Sequence, residues 1–272
     1  MNIATEDIPY RQIAGETLLG RVYRPAQPAR AVVVEVHGGA WVQNNRLSNA
    51  IIHEYLALRG IAVFALDFRM APTHRYPVAV QDINYAIRWL KTNLGKLGLP
   101  QCPVGGVGTS SGGHLLTLAA IRPDDPRYLE ADATLGQASA RLDFLVGCWP
   151  IFDPLARYRM ATTKGLQNLV NNHHAFWPDE AAMDEGNPHR MVKAEQASHM
   201  PPALVLQGTA DANVEHERTD AFVALWRERG GEMEYHKFDG QPHTFIITNA
   251  GTPAANDGLA KISAFIVKRT GG

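Results

Sequence analysis

The chain is predicted to fold as an α/β domain with a mostly parallel sheet covered by helices on both faces. Three observations point there: apolar runs too continuous for one-sided strands, helical periodicity between those runs, and glycine-rich turns where run meets helix. The 272 residues suit a single α/β unit, expected here as one domain over residues 1–272. Hydrophobic residues make up 45% and charged residues 19%, as in a globular protein with a large core.

Each element follows from local pattern. Ile8–Ile13 and Thr17–Tyr23 read as strands, then Ala31–Val36 as a strand buried on both faces. A helix is expected at about Leu47–Leu58, a buried strand at Ile61–Asp67, and a helix over Pro77–Leu94, where Val80, Ile83, Ala86, Ile87 and Leu90 recur at helical spacing. Strand Pro103–Gly108 and helix His114–Ile121 follow, then strands Leu142–Trp149 and Ala203–Gln207. Helix His216–Arg229, strand Glu232–Phe238 and helix Leu259–Lys268 close the alternation. About fifty residues, 150–200, intervene between two of these strands, longer than an ordinary connection even with one covering helix. They are expected to form a small lid-like insertion over the active site.

Composition removes several function classes. With 26 Lys+Arg against 27 Asp+Glu and no basic block, nothing suggests a nucleic-acid partner. No apolar run reaches the roughly 18 residues of a membrane span. MNIATEDIPY lacks the features of a secretory signal, and the expected setting is cytoplasmic. Cys102 and Cys148 offer neither a metal spacing nor a disulfide framework, and they are expected as free thiols near opposite edges of the sheet, on the order of 15–20 Å apart. No cofactor and no metal is expected, and a homodimer is left open.

In α/β sheets ligand sites lie beyond the carboxyl ends of strands, so chemistry is sought there. Gly108-Thr109-Ser110-Ser111-Gly112 matches G-x-S-x-G between a predicted strand and a predicted helix. Ser110 fits the nucleophile position; Ser111 does not, because Thr109 stands two residues before it. The alternative, a glycine-rich phosphate-holding turn, lacks a P-loop lysine and a G-x-G-x-x-G. The Ser111 amide, at the first turn of the helix, is free to face an oxyanion. His37-Gly38-Gly39-Ala40-Trp41 likewise follows a buried strand, and the amides of Gly39 and Ala40 are the further oxyanion donors. His37 is expected to brace this loop rather than act as the base.

A serine nucleophile needs an imidazole and a carboxylate. His243, in the loop after strand Glu232–Phe238, and Asp211, in the loop after Ala203–Gln207, are the candidates, with Asp153 and Glu215 as fallback carboxylates. The order Ser110, Asp211, His243 is that of the nucleophile-elbow hydrolases. His114 is expected to point away from the nucleophile, and His53, His216 and His236 fall on helix or strand bodies. Trp41, Trp149, Phe152 and Trp177 are candidates for a substrate pocket; for Phe176, Trp177 and the other rings of the insertion, core packing is an equal alternative.

Together these residues resemble the α/β-hydrolase superfamily, and within it the esterases with an H-G-G loop, related to hormone-sensitive lipase and to bacterial feruloyl-esterase-like carboxylesterases. Asp67–Asp82, DFRMAPTHRYPVAVQD, is similar to the D-Y-R-L-A-P-E…P-x-x-x-x-D run of that group. The chain departs from the pattern at Ala40, where a third glycine is usual, and at Thr109 and Ser111, where Asp and Ala are preferred. The resemblance implies a serine carboxylesterase acting on short-to-medium or aromatic esters through an acyl-enzyme. An arylformamidase or amidase, like the kynurenine formamidases with their H-G-G-x-W loop, is the alternative. A non-catalytic small-molecule binding protein on the same scaffold is the reading from another class.

Overall fold

Successive side chains of Ala31–Val36 face opposite ways. Val32, Val34 and Val36 enter one apolar cluster, whereas Ala31 and Val33 enter another. A strand buried on both sides belongs in the middle of a layered molecule, and the computed structural model places it there. It describes residues 3–13 and 15–270.

Eight strands form one sheet: β1 (Ala4–Ile13), β2 (Glu16–Arg24), β3 (Ala31–Val36), β4 (Ile61–Leu66), β5 (Val104–Thr109), β6 (Leu145–Cys148), β7 (Ala203–Gly208) and β8 (Met233–Phe238). Their order is β1-β2-β4-β3-β5-β6-β7-β8. β1 and β2 pair antiparallel, β2 is antiparallel to β4, and the pairings from β4 to β8 are parallel. Helices α1 (Ala50–Ala57), α2 (Val78–Asn93) and α3 (Ser111–Ile121) connect the first parallel strands. α4 (Pro154–Thr163), α5 (Gln167–Phe176), α6 (Glu180–Glu185) and α7 (Pro188–Lys193) fill the segment between β6 and β7; α8 (His216–Glu228), α9 (Phe245–Thr248) and α10 (Pro253–Lys268) complete the chain. α1 and α10 cover one face through Ile52, Leu56, Ile262 and Phe265. α2, α3 and α8 cover the other through Ile83, Ile87, Leu115 and Phe222.

Element boundaries shift from expectation for local reasons. α1 starts at Ala50 because Asn45 and Ser48 form a turn first, with the Leu47 N–H donating to Asn45 Oδ1. α3 starts at Ser111 rather than His114, because Gly112 and Gly113 hide a helix start in propensity terms. A Cβ on Gly112 would lie 2.1 Å from the Val36 carbonyl oxygen, so close approach to β3 requires glycine there. α10 begins at Pro253, capped by Thr252, whose Oγ1 accepts the Ala255 N–H; the polar Asn256 and Asp257 obscure that first turn.

The insertion holds four helices, not one. Three of them carry side-chain caps on aspartate or asparagine: Asp153 before Pro154, Asp179 before Glu180, and Asn187 before Pro188. Cys102 precedes β5, whereas Cys148 ends β6 in register with Thr109, and both thiols are free. They stand toward opposite ends of neighbouring strands. Among the described residues no helix is long and apolar enough to cross a membrane, and no cluster of His, Cys, Asp and Glu could hold a metal ion.

Candidate active site

The β5–α3 turn forces Ser110 into φ 52°, ψ −119°, strained for a residue with a side chain. The strain lifts its Oγ above the sheet at the carboxyl end of β5. Two other loops reach the same rim. After β7, Asp211 sits with one carboxylate oxygen accepting from the Asn213 and Val214 N–H groups, both at 2.8 Å. Its other oxygen accepts from Gln207 Nε2 at 2.9 Å and from His243 Nδ1 at 2.7 Å. After β8, the His243 ring spans the gap, with Nε2 3.0 Å from Ser110 Oγ.

This geometry sets the proton positions. An ionised Asp211 only accepts, so His243 carries its proton on Nδ1, leaving Nε2 to accept from the serine hydroxyl. Burial pushes the Asp211 carboxyl up. The His243 contact and the two backbone N–H groups outweigh that, and its pKa lies below the usual carboxylate value. Trp149 lies edge-on to the His243 ring at 6.2 Å, and itself packs on Phe245. The imidazole is thereby held from the side as well as from below.

Beyond β3, Gly39, Ala40 and Trp41 take φ values of 117°, 52° and 67°. Their turn closes with Val42 and Gln43 N–H groups both donating to the Gly39 carbonyl. A Cβ on Gly39 would lie 2.1 Å from the Gln43 carbonyl oxygen, which only glycine avoids. Among the described residues the N–H groups of Gly39, Ala40 and Ser111 donate to no protein acceptor. Gly39 and Ala40 line the cavity that also holds Ser110 and His243. The Trp41 N–H donates to Ser111 Oγ at 3.3 Å, tying loop to elbow.

A buried polar chain, which sequence reasoning did not anticipate, holds the loop against β5. The Gly38 N–H donates to Thr109 Oγ1, and Asn49 Nδ2 donates to both Thr109 Oγ1 and Glu35. Glu35 is in turn bonded to His53 Nε2. A lone Glu within the run AVVVEV was the available signal, since a buried carboxylate needs partners. His37 donates from Nδ1 to its neighbouring Gly38 carbonyl and stacks on Phe68 at 4.4 Å.

The aromatic pocket expectation needs correction. Trp149 lines the cavity with Ser110, but Trp41, Phe152 and Trp177 do not. Trp41 stacks on Phe176 at 5.2 Å and meets Trp177 edge-on at 5.9 Å, while Phe152 stacks on Phe222 of α8 at 3.8 Å. Large rings lose more water-exposed area by filling the interior than by lining a wet cleft. The fallback carboxylates are structural: Asp153 caps α4, and Glu215 pairs with Lys164 and Arg218. His114 accepts the Trp41 indole N–H on Nδ1 and therefore donates from Nε2 to the Gly186 carbonyl, away from Ser110.

The cavity has a volume of about 270 Å³. Arg157 of α4 and Leu169 and Asn172 of α5 form part of its wall, so the insertion contributes directly to it.

Comparison with known proteins agrees with this architecture. Esterase LipC of Mycobacterium tuberculosis is 29% identical over 82% of this chain and 55% of its own length. An arylesterase of Saccharolobus solfataricus is 31% identical, over 83% of this chain and 72% of its own. The chain spans little more than half the length of the first curated relatives it matches, 51% to 58%. Esterase 2 of Thermogutta terrifontis with propionate bound shares the fold, with a TM-score of 0.77 at 24% identity over 97% of this chain and 94% of that one. The family model BD-FAE matches residues 21–225. With its eight-stranded, mostly parallel sheet and that match over most of its length, the chain belongs to the BD-FAE family of α/β-hydrolases.

Proposed function

We propose that the protein is a serine carboxylesterase working through an acyl-enzyme on Ser110. The observation that carries this reading is the hydrogen-bonded relay from Ser110 Oγ through His243 to Asp211. His243 Nε2 takes the hydroxyl proton as Oγ attacks the ester carbonyl. Negative charge develops on the carbonyl oxygen, where the N–H groups of Gly39, Ala40 and Ser111 receive it. The tetrahedral species expels the alcohol, which leaves with the proton from His243. Water then gives a proton to His243, attacks the acyl group and releases the acid, and the proton returns to Ser110. Asp211 stays ionised and stabilises the imidazolium in both halves.

The relatives support ester rather than amide chemistry, since those reported above are named esterases. The reading includes a small-molecule ester as substrate and a cytoplasmic setting, the latter tested by fractionating cells that express the tagged chain. Ser110→Ala is expected to abolish both p-nitrophenyl acetate turnover and covalent labelling by a fluorophosphonate, with the circular dichroism spectrum unchanged. Labelling that survives this substitution rejects Ser110 as nucleophile.

A further inference from the structure

Arg157 stands out among the groups around Ser110. It is only 2% exposed, yet it is one of the residues that line the cavity. A guanidinium has five N–H donors. Here Nε donates to the Asn213 carbonyl and Oδ1, Nη2 donates to Asn213 Oδ1, and Nη1 donates to His173 Nε2. Among the described residues one N–H on each of Nη1 and Nη2 is left without a protein acceptor, and a guanidinium N–H is a strong donor to a carboxylate.

A buried charge ordinarily has a counter-ion. Arg11 and Arg69 share Asp82 in this way. Among the described residues no carboxylate hydrogen-bonds to Arg157; Asp211 attracts it from a distance but is itself held by His243. His173, its ring partner, is neutral, because burial and then Arg157 itself push its pKa down to about 2. The rest of the cavity wall mixes the amides Gln43, Asn44, Asn172 and Asn213 with the apolar Trp149, Leu169 and Ile247, and it includes no Asp or Glu. Such a wall has no carboxylate to repel an anion, and it offers apolar surface to the short chain that carries one.

We infer that Arg157 is a specificity-determining residue that binds a carboxylate on the substrate, making the preferred substrates small esters that carry a free carboxylate, such as half-esters of short dicarboxylic acids. This inference rests on the esterase reading above and adds the substrate class. The cavity of about 270 Å³ has room for a molecule of that size.

The test compares monoethyl glutarate with its uncharged isostere ethyl glutaramate by ethanol release. The wild-type protein is expected to favour the anion by roughly tenfold or more in kcat/KM, chiefly through KM. The anion-to-amide ratio is expected to fall to about one in Arg157→Gln and to be partly kept in Arg157→Lys. Asn213→Ala removes the side-chain half of the loop contact, keeps the backbone carbonyl that Nε also meets and leaves the charge, and its ratio is expected to stay high. A fall in Asn213→Ala equal to that in Arg157→Gln shows that Arg157 only props the Asp211 loop, and overturns the inference. So does a wild-type ratio of one, while leaving the esterase reading intact. Calorimetry on Ser110→Ala with the same two compounds reads the anion site without turnover. Equal affinity for both, or binding of neither, counts against the inference even if no ester proves to be a substrate.

Discussion

Asp211 decides which tautomer His243 adopts, so its charge matters more than its bulk. Asp211→Asn keeps a hydrogen-bonding side chain but favours the wrong ring nitrogen, and kcat is expected to drop by about 10⁴ with thermal stability little changed. A steady-state assay beside a melting curve checks this; a loss below tenfold would remove Asp211 from the relay. The residues of this relay were legible because each follows a strand end in the required chain order. Arg157 was not. It lies on a helix of an insertion with no motif, and its meaning comes from what fails to pair with it in space.

Elements act through the contacts that lock them together. The loop after β3 depends on Asn49, whose Nδ2 donates to both Glu35 and Thr109 Oγ1 from the turn before α1. Asn49→Ala leaves a buried carboxylate short of a donor and is expected to cost about 1–3 kcal/mol in urea unfolding. Because the same chain positions Gly38, kcat should fall as well. Unchanged stability would mean that water replaces the amide. Trp41 likewise joins the loop to α5 and the Trp177 that follows, and its loss to Ala is expected to cost about 3–5 kcal/mol, as for other buried large rings. Helical periodicity located α2 and α8 well. It failed for α4–α7, where short helices of mixed polarity are defined by their caps rather than by an apolar stripe.

Two buried histidines contribute a pH dependence to the stability of the whole molecule. Burial holds His114 down to about 4, and burial with the Arg157 charge holds His173 down to about 2. Unfolded, both take up a proton below about pH 6.5. The folded state refuses it, so their stabilising contribution is intact above that pH and is lost as pH falls toward the folded values. Each removes about 1.4 kcal/mol per pH unit across its window. Urea unfolding between pH 6 and pH 5 is therefore expected to show a loss on the order of 2 kcal/mol. A flat profile over that interval would mean that the two rings are not buried in neutral form.

By itself the sequence determined the layer order, through two-faced apolar runs and alternating periodicity, and it marked the turns where glycine lets backbone come close. Those signals are local, and local physics suffices to produce them. Tertiary structure decided what distance along the chain conceals: that Ser110, Asp211 and His243 meet on one rim, that Trp41, Phe152 and Trp177 turn inward, and that a buried guanidinium with no carboxylate bonded to it among the described residues lines the same cavity as the reactive hydroxyl. Burial and charge pairing are properties of the assembled chain, and residues far apart in sequence acquire them only once the sheet has brought its loops together.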